Sequence, residues 1–256
     1  MSVALPQVYD DPERYDLVFE SLDFDVPFWL EVGRDAGGPV LELGCGTGRV
    51  MLRLLEAGCD VDGVDLHPAM LERLRAKAAA KGWTPQLVTA DMQDFTMPRR
   101  YRRVICPFNA FAHAETTEAQ LATLACVRQH LEPDGACVVF MSYPGHRYWS
   151  APDADPVLEL ETRGADPGRR IQIWDLRTKD PVAQHQHSIV EYRELDEANR
   201  VIGSSRFETS VRWVYRYELE LLFRHAGFAR WEVFGGFGRE PLTRDDQPMI
   251  AWAWRS

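Results

Sequence analysis

Over roughly the first 145 residues, apolar positions recur alternately at helical spacing and in short β-branched runs, as expected of a parallel sheet covered by helices. Asp11 and Pro12 supply an N-cap and a first-turn proline, and Tyr15, Val18, Phe19 and Leu22 then fall on one helical face. A second short helix starts near Pro27 and stops near Gly37. The run 39–43 is a buried strand, and Gly44 to Gly48 turns it into a helix carrying Val50, Met51, Leu54 and Leu55, which Gly58 ends. Strand two is Val61 to Asp65. Pro68 opens a helix with a core stripe of Met70, Leu74 and Ala78, and Leu87 to Thr89 is strand three. Strand four spans Val104 to Phe108. Thr117 and Gln120 form a capping box for the next helix, and Pro133 to Gly135 is its exit turn before strand five, Cys137 to Met141.

Past Tyr143 the pattern changes. Pro144, Pro152, Pro156 and Pro167 punctuate period-2 stretches that include Ile171, Ile173 and Arg206 to Tyr215, which predicts an antiparallel β insertion over residues 146–214. Helical spacing returns with Leu219, Leu222, Phe223 and Ala226 up to Gly227, and strands at Trp231 to Phe234 and Met249 to Trp254 close the sheet. The resulting fold class is α/β, a mostly parallel seven-stranded sheet with helices on both faces. Residues 1–145 and 215–256 form one unit, with the insertion as a lid over it.

Composition narrows the partners. A net charge of −10 gives no general attraction to phosphate backbones or anionic membranes, which favours a small molecule over nucleic acid. The five cysteines are odd in number and lack CxxC spacing, so no disulfide framework or zinc ribbon is indicated and a reducing cytoplasm is the expected compartment. The start lacks a basic stretch followed by an apolar core, and no apolar run approaches the ~20 residues needed to cross a bilayer. Oligomeric state is left open.

The most informative stretch is residues 40–50, a strand entering a glycine-rich turn that opens a helix, which describes a nucleotide-like cofactor site. The spacing is GxGxG, and Arg49 stands where a dinucleotide fingerprint has its third glycine, which disfavours a nicotinamide-dependent oxidoreductase. With its leading acid, Glu42-x-Gly44-x-Gly46-x-Gly48, the segment resembles the first motif of class I S-adenosylmethionine-dependent methyltransferases, with Cys45 inside the turn. Asp65, about 20 residues on and followed by Leu66, sits where a carboxylate accepts both ribose hydroxyls. Residues 89–95 are similar to the family's third motif, whose Asp, here Asp91, takes the adenine amino group while Met92 packs on the ring. Residues 105–113, with Phe108, resemble the fourth, at the edge facing the methyl group.

The resemblance covers residues 9–145 well and 215–256 loosely. Arg102 departs from it where the family commonly has Asp. The placement of the insertion, and Tyr9-Asp10 with Tyr15-Asp16 near the start, are similar to the branch that includes glycine and amino-sugar N-methyltransferases. The resemblance implies a Rossmann-like fold and transfer of a methyl group from S-adenosylmethionine to a small nitrogen or oxygen nucleophile, with S-adenosylhomocysteine released. A binding module without catalysis is the alternative.

Such a displacement needs alignment and exclusion of water more than it needs catalytic groups. Where a proton must leave, His113 is the candidate base, with a local packing role as its alternative. Tyr15 contributes either to cofactor closure or to the apolar helix face. Tyr148 and Trp149 are candidates for an apolar acceptor pocket. His185 and His187 point one way along a strand but lack a third ligand at recognisable spacing, so they read as an exposed face and no metal is expected.

Overall fold

The computed structural model describes residues 8–153, 155–163 and 168–256, so Pro167 and the first seven residues, whose composition was weighed in the sequence, lie outside the described residues. The chain runs through a 3-10 turn at Val8–Asp10, α1 (Pro12–Phe19), α2 (Val26–Asp35), β1 (Val40–Leu43), α3 (Met51–Glu56), β2 (Val61–Asp65), α4 (Pro68–Ala80) and β3 (Leu87–Thr89). β4 (Tyr101–Cys106), a 3-10 turn at Ala110–His113, α5 (Thr117–His130), β5 (Leu131–Ser142) and α6 (His146–Ser150) follow. Then come β6 (Val157–Arg163), β7 (Arg170–Asp180), β8 (His185–Leu195), β9 (Val201–Arg212), α7 (Arg216–His225), β10 (Arg230–Phe234) and β11 (Pro248–Trp254).

Seven strands form one sheet in the order β10-β11-β5-β4-β1-β2-β3. β1 to β5 pair in parallel, and β11 lies antiparallel between β5 and β10. Alternation along the strands sends Leu41, Val104, Cys106 and Val139 to one face, against Leu124 and Val127 of α5 and Leu219 and Phe223 of α7. Val40, Ile105, Val138 and Phe140 face the other way, against Trp29 of α2, Met51 and Leu54 of α3, and Leu71 and Leu74 of α4. Strand order reverses beside β1, where β2 lies on one side and β4 on the other, and a doubly wound sheet opens its binding crevice at such a point.

The insertion is a second, four-stranded antiparallel sheet, β6-β7-β8-β9. Ile171, Ile173, Tyr192 and Phe207 on its inner face pack with Val8 and Val18, so the chain's first turns link it to the main body.

Several boundaries differ from the expectation. Thr116, not Thr117, caps α5: its extended backbone lets its hydroxyl accept from the Ala119 N–H at 3.1 Å, and Gln120 instead accepts from Arg212 at 2.9 Å. Pro133 to Gly135 is no exit turn, because β5 starts at Leu131 directly after α5, and these residues bulge where the register jumps from Tyr101–Leu131 to Arg103–Ala136. β4 starts at Tyr101 and ends at Cys106, since Phe108 and Asn109 adopt left-handed backbone conformations, φ 51° and 63°. The insertion opens with α6 before its first strand, and β9 stops at Arg212 because Tyr215 caps α7. Leu22 lies beyond α1.

Gly48 and Gly37 both have positive φ, 92° and 62°, but a Cβ on Gly48 would lie 2.3 Å from Leu74 Cδ1, whereas one on Gly37 meets nothing within 4 Å. Gly37→Ala should therefore cost about 1 kcal/mol, and Gly48→Ala about 1–3 kcal/mol more, measured by urea denaturation. Equal losses would contradict this packing of the turn.

Candidate functional site

A cavity of about 1060 Å³ lies over the carboxyl ends of β1, β2 and β4 and under the inner face of the insertion sheet. It slightly exceeds the ~300–1,000 Å³ range of single-ligand pockets, which leaves room for a donor and an acceptor together. Tyr15, Glu42, Gly44, Cys45, Gly46, Asp65, Leu66, Asp91, Met92, Phe108 and His113 all line it. Gly48 does not: its α carbon faces Leu74 and Leu52, so it serves the turn and not the cavity wall.

Asp65 organises the floor. One carboxylate oxygen accepts from the Gly46 N–H at 2.7 Å and the other from the His67 N–H at 2.8 Å. Gly46 sits at φ 52°, and a Cβ on it would meet only Met70 Cε, at 3.8 Å, so the requirement for glycine there is conformational. At Gly44, φ 63°, a Cβ would lie 2.8 Å from the Ala110 Cβ, which lets β1's turn approach the turn after β4. Cys45 packs under Gly63, and burial pushes its thiol pKa well above the ordinary value, which leaves it protonated and inert. Cys106 is likewise raised, mainly by burial.

Glu42 is 3% exposed, and its Oε2 has no hydrogen-bond partner. Burial raises its pKa well above the ordinary carboxylate value, opposed by Arg49. Arg49 also lines the cavity. Its guanidinium is held by both oxygens of Asp25, at 2.5 and 2.8 Å, donates to the Leu22 carbonyl, and lies 4.8 Å over the Phe108 ring. The Arg49–Asp25 pair was not legible beforehand, because the partners come from elements far apart in sequence. A buried acid with a free oxygen beside a glycine turn presents an acceptor for an ammonium or amine.

Further along, both oxygens of Asp91 are engaged by Gln93, through its N–H at 2.9 Å and its side chain at 3.1 Å. The consecutive left-handed residues Phe108 and Asn109 form the turn after β4, and Asn109 Oδ1 accepts from the Ser142 N–H at 2.6 Å, which ties that turn to β5.

On the cavity wall the Tyr9 hydroxyl is 2.8 Å from His113 Nε2. The Tyr9 ring packs 4.9 Å from His67 and 6.1 Å from Tyr15. Burial is the largest influence on both groups: it raises the Tyr9 phenol and lowers the His113 imidazole, while a hydrogen bond to the Ser210 backbone partly opposes the latter. His113 is therefore neutral at pH 7 and able to accept a proton.

On the roof, Tyr148 lines the cavity, with its hydroxyl bonded to Gln186 and to Trp213 Nε1, and its pKa is pushed up to about 12, mainly by burial. Trp149 does not line it; its indole N–H turns away to donate to the Tyr215 hydroxyl at 2.6 Å. His187 reaches the cavity, whereas His185 bonds to the Glu115 carbonyl at 2.9 Å. Among the described residues no group of three or more His, Cys, Asp or Glu is placed to hold a metal ion, and no helix is long and apolar enough to cross a membrane. Arg102 pairs with Asp134 on the surface, away from the cavity.

Comparison with known proteins places residues 40–135 in a family model described as a methyltransferase domain. The chain is 29% identical over 250 residues, 96% of each partner, to a cypemycin N-terminal methyltransferase from a Streptomyces species. Its fold matches the CcbJ methyltransferase of Streptomyces caelestis with a TM-score of 0.76 at 24% identity, covering 96% of this chain and 95% of that one. It also matches the S-adenosylmethionine-bound amino pentose methyltransferase CalS10 of Micromonospora echinaspora, TM-score 0.70 at 21% identity over 100% of both chains.

Glu42 gives this site a testable stability signature. An acid whose folded pKa is raised lends its full stability only while protonated, and that stability is lost as pH rises through the raised pKa. Ligand-free Glu42→Gln should therefore melt about 2 °C or more above the parent protein at neutral pH and converge with it in acid, read as Tm against pH. A lower Tm for the variant at neutral pH would mean that Glu42 is structurally paired.

Proposed function

We propose that this chain, a class I S-adenosylmethionine-dependent methyltransferase, methylates the nitrogen of a small amine, and that His113 receives the proton the amine must lose. The observation that carries this reading is the Tyr9–His113 pair inside the cavity, 2.8 Å apart, with the imidazole neutral. The name of the cypemycin N-terminal methyltransferase supports nitrogen as the nucleophile. The negative net charge of −10 favours a small acceptor over nucleic acid.

The residues present fit the donor. Glu42, with its free buried oxygen, takes the donor's α-ammonium. Asp65 spends one lone pair of each oxygen on the turn and keeps others for the ribose hydroxyls. Asp91 and Met92 sit at the adenine end, in keeping with the family resemblance. Bound S-adenosylmethionine supplies a methyl group on a positively charged sulfur, so the protein's task is alignment and exclusion of water. The insertion sheet acts as the lid that supplies both.

An ammonium has no lone pair for attack. A proton passes from it to the Tyr9 oxygen as the Tyr9 proton passes to His113 Nε2, and the hydrogen bond to the Ser210 backbone holds the ring in place. The raised pKa of Tyr9 keeps the phenol protonated between turnovers, so it relays a proton and does not store negative charge.

The decisive measurement pairs calorimetric titration with S-adenosylmethionine and an assay of S-adenosylhomocysteine release across primary and secondary amines. His113→Ala should lower kcat by about a hundredfold or more with the donor Kd unchanged. The limb of the parent profile in which activity is lost as pH falls through the lowered His113 pKa should vanish in the variant. Full turnover in His113→Ala would leave the histidine a packing role. Asp65→Ala should abolish donor binding, and retained binding there would place the ribose elsewhere.

A further inference from the structure

Among the described residues the inner face of the insertion sheet carries three buried polar atoms without a hydrogen-bond partner, on Asp175, Tyr192 and Ser205, and the first two of these residues line the cavity. The atoms are Oδ1 of Asp175 on β7 and the hydroxyl of Tyr192 on β8, and the two residues are 7% and 3% exposed. Tyr192 lies opposite Ile173, two residues from Asp175, but its hydroxyl reaches toward Tyr9, Tyr15 and Arg14, which leaves Asp175 as the unpartnered group on this part of the wall.

The nearby cation is already engaged: Arg177 donates to the other Asp175 oxygen at 2.7 Å and to Glu159 at 2.5 Å. Glu159 also lines the cavity and shares Arg177 with Asp175, so two acids face one cation and this wall presents an acceptor oxygen at Asp175. It is matched to a group that donates hydrogen bonds and mismatched to a carboxylate.

Register fixes how far this wall stands from the reacting end. Asp175 pairs with Val190, Val190 pairs with Phe207, and Thr209, two residues on, is hydrogen-bonded to Tyr9. Two strand spacings and two residues along a strand separate Asp175 from Thr209 by about 12 Å. The group held at Asp175 is therefore not the nitrogen that meets the methyl group.

The geometry points to a second recognition subsite on the lid, in which Asp175 Oδ1 binds a hydroxyl or ammonium carried by the acceptor about 10 Å from its reacting nitrogen. This inference rests on the amine reading above. An acceptor with an alkyl end there would bury Asp175 Oδ1 unpaired, and sites built to bind a polar group reject analogues that lack it.

Three probes of equal length test it: a straight-chain eight-carbon amino alcohol, the matching diamine and the matching alkylamine. Each is assayed for turnover and, by calorimetry, for binding to the protein loaded with S-adenosylhomocysteine. The amino alcohol and diamine should exceed the alkylamine in kcat/KM by about tenfold or more. That ratio should fall toward one in Asp175→Asn, with the variant's Tm and its affinity for S-adenosylhomocysteine measured alongside to guard against misfolding. Turnover of all three at similar efficiency, or a ratio untouched by Asp175→Asn in a folded, S-adenosylhomocysteine-binding variant, would overturn the subsite, show a wall satisfied by water, and leave the amine reading standing. No turnover or binding of any amine, with the donor still bound, would overturn the amine reading and the subsite with it.

Discussion

The carboxylate of Asp65 is the constraint on which the rest of the site depends. By accepting from the N–H groups of Gly46 and His67 it ties the turn after β1 to the turn after β2, through charge-assisted bonds at a buried position. The consequences run outward in both directions. Through Gly46 the turn is held in the left-handed conformation that brings Arg49 back toward Asp25, fastening α2 to the floor of the cavity. Through His67 the ring that supports Tyr9 is put in place, and Tyr9 in turn meets His113. One acid thus sets the positions of the donor cradle and of the candidate base.

The two walls of the cavity are built on different principles. The floor is a parallel sheet buried on both faces, whose strand ends are pinned by backbone geometry: positive φ at Gly44 and Gly46, and the consecutive left-handed residues Phe108 and Asn109. The roof is an antiparallel sheet held by side-chain packing, with Ile171, Ile173, Tyr192 and Phe207 seated on Val8 and Val18. The chain's first turns contribute to both walls, because Val8 belongs to the roof's core while Tyr9, next to it, bonds to His113. Roof and reacting centre are therefore mechanically joined through two adjacent residues.

What was legible in the sequence follows from this contrast. Strand-to-helix turns of the floor announce themselves through glycines, first-turn prolines and acids at strand ends, so β1, β2, α4 and nearly every expected cavity residue could be named in advance. Failures came where the decisive partner is distant in sequence. Thr116 outcompeted Thr117 as a cap because Gln120, the expected reciprocal partner, is taken by Arg212 from β9. Pro133 to Gly135 reads locally as a turn, yet pairing with β4 absorbs it as a bulge. Gly48 and Trp149 have the right composition for a pocket wall, and only packing against Leu74 and Tyr215 shows that they face elsewhere.

Unsatisfied buried groups occur on both walls: Glu42 Oε2 below, Asp175 Oδ1 and the Tyr192 hydroxyl above. Each lowers the stability of the ligand-free fold, since a buried polar atom without a partner forfeits its hydration. A fold optimised for stability alone would have placed apolar residues there, and sites that break this rule are where function is expected. Glu42 was legible because it belongs to a local motif. Asp175 was not, because the alternation that marks Ile171 and Ile173 as inward-facing continues into Asp175 and Arg177, and a polar run at that point reads as the strand leaving the core. In the folded protein the same alternation keeps Asp175 turned inward over the cavity, so the polarity that hid it in the sequence is what equips the roof to select an acceptor.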